Sequence, residues 1–207
     1  MIRHANRPEI SSGSYGNEVL ISGKGIARAR VLGASLFQRT VNVAYSSPIP
    51  RCQQTLTEIS SGAGWNCTIQ SSKLLGDPGP FVQNADAAGP LFLAIGAQGV
   101  VYRQLNETAA LKGMKPTHLG VQHLLELIIH TPRKENAITL MVTHDAILAA
   151  FIGFLLGIQL NPDQWPDFLE GTVVWAENAE LRVVWQGVLY RFTAGDLQSK
   201  GINIDLK

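Results

Sequence analysis

The sequence predicts an α/β fold, a three-layer α/β/α sandwich around a mostly parallel central sheet. Three observations carry this. Short apolar, β-branched runs such as Val41–Tyr45 and Ala137–Thr143 alternate with longer stretches of helical periodicity. Each of these two runs leads directly into a helix, the pattern of strands covered on both faces. The chain has 207 residues, 45% hydrophobic and 16% charged, which supports a sizeable core and excludes intrinsic disorder. With no credible linker, residues 1–207 read as one domain.

The elements follow in order. Ser11–Asn17, rich in Ser, Gly and Tyr, reads as a loop. Ser22 is an N-cap for a helix running through Ala29, Leu32 and Leu36. Val41–Tyr45 is a buried strand, and Ser46-Ser47-Pro48 caps the next helix, which carries Arg51, Thr55, Leu56 and Ile59. Residues 60–90 are rich in loop signals, including Gly76-Asp77-Pro78-Gly79-Pro80 and Gly89-Pro90. Leu119–Ile129 reads as an apolar helix, Ala137–Thr143 as a strand, and Ala146–Leu156 as a buried helix. Val173–Trp175 and Leu181–Phe192 are late strands, with turns at Asn178 and Gln186-Gly187.

Charge narrows the function. The net charge is +1, which gives no drive toward nucleic acid or an anionic membrane. The sum conceals an asymmetry: residues 1–60 carry +4 and the remainder −3. Cys52 and Cys67 are too few for a disulfide framework and read as buried thiols. The apolar tract Ala137–Ile158 is interrupted by His144 and Asp145, so it reads as a strand and a buried helix rather than a membrane span. No basic stretch followed by an apolar one opens the sequence, and the expected compartment is the cytoplasm. Met1-Ile2 lies directly before the first motif below, so a leader or strand preceding it is left open.

Three segments gather chemistry at predicted strand exits, where ligands bind in open α/β sheets. They are Arg3-His4-Ala5-Asn6-Arg7-Pro8, Ser46-Ser47-Pro48-Ile49-Pro50-Arg51 and Thr143-His144-Asp145. Guanidinium groups match phosphate oxygens in bidentate fashion and stay charged at any physiological pH. A neutral imidazole among them is able to attack phosphorus, and a neighbouring carboxyl group to protonate the departing alkoxide.

These segments resemble the histidine phosphatase (phosphoglycerate mutase-like) superfamily. Arg3-His4-Ala5 is similar to its Arg-His-Gly signature, with Ala5 in place of glycine. Leu20–Leu36 resembles its Leu-Thr-x-x-Gly-x-x-Gln-Ala-x-x-Leu-Gly segment, Tyr45–Leu56 its Ser-Ser-Pro-x-x-Arg-x-x-x-Thr-Ala segment, and Val142–Leu148 its late histidine block. Arg7 and the His144-Asp145 pair lean toward the acid phosphatase branch, although Pro8 stands one residue early for that pattern. The resemblance implies a phosphoglycerate mutase-like fold with a minimal cap built from residues 60–118. It implies His4 as the nucleophile forming a phosphohistidine, with Arg3, Arg7, Arg51 and His144 binding the phosphoryl oxygens. Asp145 is then the general acid. The reaction implied is hydrolysis of a small-molecule phosphomonoester or phosphorylated metabolite, without metal or other cofactor. A phosphomutase, or a non-catalytic phosphate- or phosphopeptide-binding module on the same fold, are the alternatives.

Other features carry less. His118, His123 and His130 read as structural or surface residues, and Trp165 and Trp175 as packing residues. Gly76–Pro80 reads equally as a pocket lip or as a turn. Gly23-Lys24-Gly25 lacks the third glycine of a dinucleotide loop, and no Walker loop or Gly-x-Ser-x-Gly elbow occurs.

Overall fold

The structure is a computed structural model that describes residues 1–11, 13–132, 134, 136–161 and 164–206. Ser12, inside the expected 11–17 loop, lies outside them. The chain divides into two compact units. Unit 1 comprises residues 1–77, 132–145 and 166–170, and unit 2 the rest.

Unit 1 holds β1 (Ile2–Arg3), α1 (Gly23–Ser35), β2 (Thr40–Ser46), α2 (Pro50–Ala63), β3 (Ile69–Ser71) and β4 (Ala137–Thr143). The strands form a four-stranded sheet in the order β1-β4-β2-β3, and every pairing is parallel. The expected mixed α/β fold around a parallel sheet is thus present. β4, the last of these strands in sequence, lies between β1 and β2, so the strand order reverses beside it. Its register sets Arg3 opposite Thr143 and Ser46 opposite Val142, which brings three carboxyl ends into one row.

α1 starts where the sequence placed it, with the Ser22 side chain accepting the Gly25 N–H. α2 differs from expectation. Its first residue is Pro50, and Ile49 caps it without a side-chain hydrogen bond. A residue before proline is disfavoured in the helical region, so Ile49 stays extended and Ser46-Ser47-Pro48 remains in the approach to the helix. α2 ends at Gly64 in the left-handed conformation (φ 68°), whose N–H returns to the Ser60 carbonyl. The two helices pack backbone against backbone. A Cβ on Gly33 would lie 2.1 Å from the Ile59 carbonyl oxygen. Beneath them, Leu56, Ile59 and Cys52 of α2 are fully buried with Ala44 and Val142 of the sheet. Each such aliphatic side chain contributes roughly 1.5–3 kcal/mol by leaving water.

Unit 2 contains α3 (Ala85–Asn106), α4 (Thr117–His130), α5 (Asp145–Leu156) from Ala146 onward, β5 (Val173–Glu177), β6 (Glu180–Trp185), β7 (Val188–Thr193) and α6 (Ala194–Ser199). The loop reading of Gly89-Pro90 is corrected: both lie inside α3, which is interrupted instead at Gly96 (φ 68°, ψ 170°). α5 buries almost every side chain from Ile147 to Leu155. Among the described residues no helix is long and apolar enough to cross a membrane. The three late strands form their own antiparallel sheet, β5-β6-β7. Its first turn places Asn178 and Ala179 at φ 54° and 59°, as a two-residue hairpin turn requires. β6 alternates, burying Leu181, Val183 and Trp185. Of residues 60–118, those to Asp77 belong to unit 1 and those from Pro78 to unit 2.

Candidate active site

All six sequence-predicted site residues, Arg3, His4, Arg7, Arg51, His144 and Asp145, lie in unit 1. The sheet anchors them. The His4 N–H donates to the Thr143 carbonyl at 2.9 Å and the Ser47 N–H to the Val142 carbonyl at 3.0 Å. His4 and His144 therefore leave adjacent parallel strands side by side, their rings 5.5 Å apart edge to face. Arg51, in the first turn of α2, reaches both. Arg3, His4 and Arg51 are buried, which is unusual for such polar groups and calls for partners.

The tautomer of His4 follows from its neighbours. Its Nδ1 lies 2.9 Å from the Ala5 carbonyl oxygen, which only accepts, so Nδ1 carries the proton. Nε2 is left with its lone pair, and the Arg51 Nε–H donates to it at 3.2 Å. Burial, with the Arg51 and Arg3 charges, outweighs the Ala5 bond and pushes the His4 imidazolium down to about 3. At neutral pH the ring is uncharged and presents a nucleophilic nitrogen. The alanine that replaces glycine at position 5 is completely buried in the unit 1 core, and its N–H donates to Thr55 Oγ1 at 2.9 Å. Its methyl group therefore packs inward.

Arg51 also donates through Nη1 to the Gly16 carbonyl at 2.7 Å and through Nη2 to His144 Nδ1 at 3.3 Å. A guanidinium cannot accept, so His144 is protonated on Nε2, which donates to Ser47 Oγ at 3.0 Å. Burial, then the Arg51 charge, holds His144 well below its ordinary value. Cys52 Sγ lies 3.5 Å from the same Nε2. Burial pushes this thiol up to about 12, so it is not a thiolate near neutral pH. Gly76 closes that side: a Cβ there would lie 2.4 Å from Ser47 Oγ and 2.6 Å from His144 Nε2.

On the other side, Arg3 Nη2 pairs with Asp145 Oδ2 at 3.0 Å, Nη1 donates to the Pro166 carbonyl at 2.6 Å, and the guanidinium lies 4.0 Å above the Phe168 ring. Arg7 Nη1 donates to the Pro8 carbonyl at 2.8 Å. Burial lowers the Arg7 guanidinium from its ordinary value, opposed by the Asp145 charge. The Nε atoms of Arg3 and Arg7 are buried without a hydrogen-bond partner, which is costly unless a ligand supplies an acceptor. With both imidazoles neutral, three guanidinium groups and one carboxylate leave the cluster at +2, the complement of a phosphomonoester dianion. Among the described residues no group of three or more His, Cys, Asp or Glu is arranged to hold a metal ion.

Residues 1–76 match the histidine phosphatase superfamily (branch 1). That stretch holds four of the six site residues. The superfamily resemblance read from the sequence is thus borne out, while the lean of His144-Asp145 toward the acid phosphatase branch finds no support in the match. Solved structures share the fold over most of the chain. YhfR of Bacillus stearothermophilus superposes with a TM-score of 0.59 at 16% identity, covering 90% of this chain and 94% of that one. A phosphoglycerate mutase from Bacillus anthracis gives 0.53 at 16%, covering 97% and 93%. A mycobacterial glucosyl-3-phosphoglycerate phosphatase gives 0.51 at 18%, covering 88% and 87%. At these identities the likeness is one of fold. No curated protein matches the sequence.

Sequence reasoning missed three contributors: Ser47 as the acceptor for His144, Thr55 as the link between Ala5 and α2, and Phe168 over Arg3. Gly76, read from the sequence equally as a pocket lip or a turn, stands against Ser47 and His144. Ser47 and Thr55 stand within the Tyr45–Leu56 motif, so their hydroxyls were available as a signal. Nothing local marks Phe168.

Proposed function

We propose that the protein is a metal-independent phosphatase that hydrolyses a phosphomonoester through a phosphohistidine on His4. The observation that carries this is the His4 tautomer: Nδ1–H is held by the Ala5 carbonyl, leaving the Nε2 lone pair within a buried +2 cluster. A phosphoryl group binds Arg3, Arg7 and Arg51, and Arg51 Nε–H passes from His4 Nε2 to a phosphoryl oxygen. His144 adds a donor by turning its Nε2–H from Ser47 to the phosphate. These charges offset the negative charge of the transition state. Displaced from Arg3 by the phosphoryl group, the Asp145 carboxylate takes up a proton from the monoanionic ester; His4 Nε2 then bonds to phosphorus as the bond to the ester oxygen breaks, and Asp145 passes that proton to the departing alkoxide. Water attacks the phosphohistidine, the P–N bond breaks, and Asp145 takes the proton from that water. Inorganic phosphate leaves.

The test is hydrolysis of a panel of phosphomonoesters, with EDTA present, by wild type, His4→Ala and Asp145→Asn. His4→Ala should lose about a thousandfold or more. Asp145→Asn should slow alkyl phosphates roughly a hundredfold more than nitrophenyl phosphate, whose phenolate departs without a proton. A wild type that binds phosphate yet hydrolyses nothing, or a fully active His4→Ala, refutes the reading. Labelled phosphate appearing on a second acceptor rather than in solution would make it a mutase.

A further inference from the structure

The least expected neighbour of the site is the segment 166–170, which reaches it from far along the chain. Three contacts fasten it to the rest of unit 1. The Arg3 N–H donates to the Glu170 carbonyl at 2.8 Å, Arg3 Nη1 to the Pro166 carbonyl at 2.6 Å, and Arg28 Nη2 to the Phe168 carbonyl at 3.3 Å. Arg28 holds Asn6 Oδ1 with its other terminal nitrogen at 2.9 Å, which ties the segment to the loop that follows the nucleophile. The turn is closed by the Glu170 N–H on the Asp167 carbonyl at 3.0 Å, and by Glu170 Oε2, which accepts the Asp167 N–H at 2.8 Å.

Within that turn Leu169 has φ 66°, a left-handed conformation uncommon for a bulky residue. Such a conformation persists only where the surroundings impose it, and here Leu169 packs against the unit 1 core. Phe168, between the exposed Asp167 and the half-buried Leu169, is itself half-buried, and its ring lies under the Arg3 guanidinium and 5.7 Å from the ring of His4.

We infer that Phe168 is a positioning residue, holding the Arg3 guanidinium flat so that its Nε–Nη2 edge presents both donors to one phosphoryl group. Pro166 takes Nη1 and the ring covers one face, which leaves the edge made of Nε and Nη2. Nε is the atom without a partner, and Nη2 is the one on Asp145. A phosphate arriving there satisfies Nε and replaces the carboxylate at Nη2 in one bidentate contact. Without the ring, Arg3 keeps its charge but loses the plane that fixes the fork, and rotation about its side-chain bonds misaligns one of the two donors. This rests on the proposed function only in that Arg3 binds the phosphoryl group. The turnover of that group is a separate matter.

The experiment is titration of the full chain with inorganic phosphate, for wild type, Phe168→Leu and Phe168→Tyr. In parallel, nitrogen–proton NMR of the arginine side chains follows the Arg3 guanidinium. Phe168→Leu should weaken phosphate binding about three- to thirtyfold, and Phe168→Tyr, which keeps the aromatic face, should stay within about twofold of wild type. In wild type the Arg3 guanidinium protons should resonate upfield of the other arginines, shielded by the ring, and keep that shift when phosphate is added. The shift should vanish in Phe168→Leu and persist in Phe168→Tyr. A Phe168→Leu protein with wild-type phosphate affinity, a Phe168→Tyr protein as impaired as Phe168→Leu, or unshifted Arg3 protons in wild type would each overturn the inference. Wild type that binds phosphate without hydrolysing any ester refutes the phosphatase reading and leaves Phe168 to be decided by these affinities and shifts. Wild type that binds no phosphate overturns both.

Discussion

The depressed His4 imidazole makes a stability prediction that needs no substrate. In the unfolded chain His4 has its ordinary value of 6.5, and in the folded protein it lies at about 3. Below pH 6.5 the unfolded chain takes up a proton that the folded protein refuses. Stability is therefore lost as pH falls from 6.5 toward 3, by about 1.4 kcal/mol per pH unit once the difference is a full proton. Between pH 6 and pH 4.5 this amounts to about 2 kcal/mol from His4 alone. His144 is lowered in the same direction and adds to the loss. Against a typical stability of about 5–15 kcal/mol this is a large share. The assay is urea unfolding at half-unit steps between those pH values, for wild type and His4→Gln. Gln cannot titrate, so the wild-type loss should exceed the variant's by about 2 kcal/mol. That is near 1 M in the urea midpoint for a slope of about 2–3 kcal/mol/M. Parallel pH profiles for the two proteins would show that the folded state protonates His4 as readily as the unfolded one. The buried neutral nucleophile would then be wrong.

Two further outcomes are expected. Gly76→Ala places a methyl group against Ser47 Oγ and His144 Nε2, so His144 must move; kcat/KM should fall about tenfold or more, and a wild-type rate would show that this wall yields. Asp145→Asn removes the carboxylate that competes with phosphate for Arg3, so inorganic phosphate should bind about tenfold tighter while turnover of alkyl phosphates drops; unchanged or weaker binding by calorimetry would count against displacement at Nη2.

Much of the site was legible because strand ends are legible. Thr143-His144-Asp145 follows an unbroken apolar run, so the position where the strand stops and the polar groups begin is plain in the residues themselves. Arg51 was placed near a helix start by the prolines before it, although the helix begins two residues later than Ser46-Ser47-Pro48 suggests, because Pro50 forces Ile49 to remain extended. Gly89-Pro90 misled for a related reason. Proline reads as a breaker, yet Asn84 caps a helix that runs through it, and the interruption falls at Gly96. Phe168 was invisible, since its role depends on carbonyl acceptors at Pro166 and Glu170 and on a contact spanning 163 residues, none of which has a local signature. The separate antiparallel sheet escaped notice because alternation reveals a strand but not its partners.

The position of β4 has a consequence for assembly. The strand that ends on Arg3 pairs with β4, some 140 residues away, and among the described residues β1 and β2 are not neighbours. The stretch that matches the superfamily is therefore unable to close the sheet alone, because the strand on which β1 docks has yet to appear. Closing a loop of that length costs about 4 kcal/mol in chain entropy before any ladder bond is returned. Docking of the nucleophile strand is then a late event on folding, and on a ribosome it waits for more than two thirds of the chain. A chain cut short of β4 would keep Arg3, Arg7 and Arg51 yet lose the Thr143 carbonyl on which the His4 N–H is anchored.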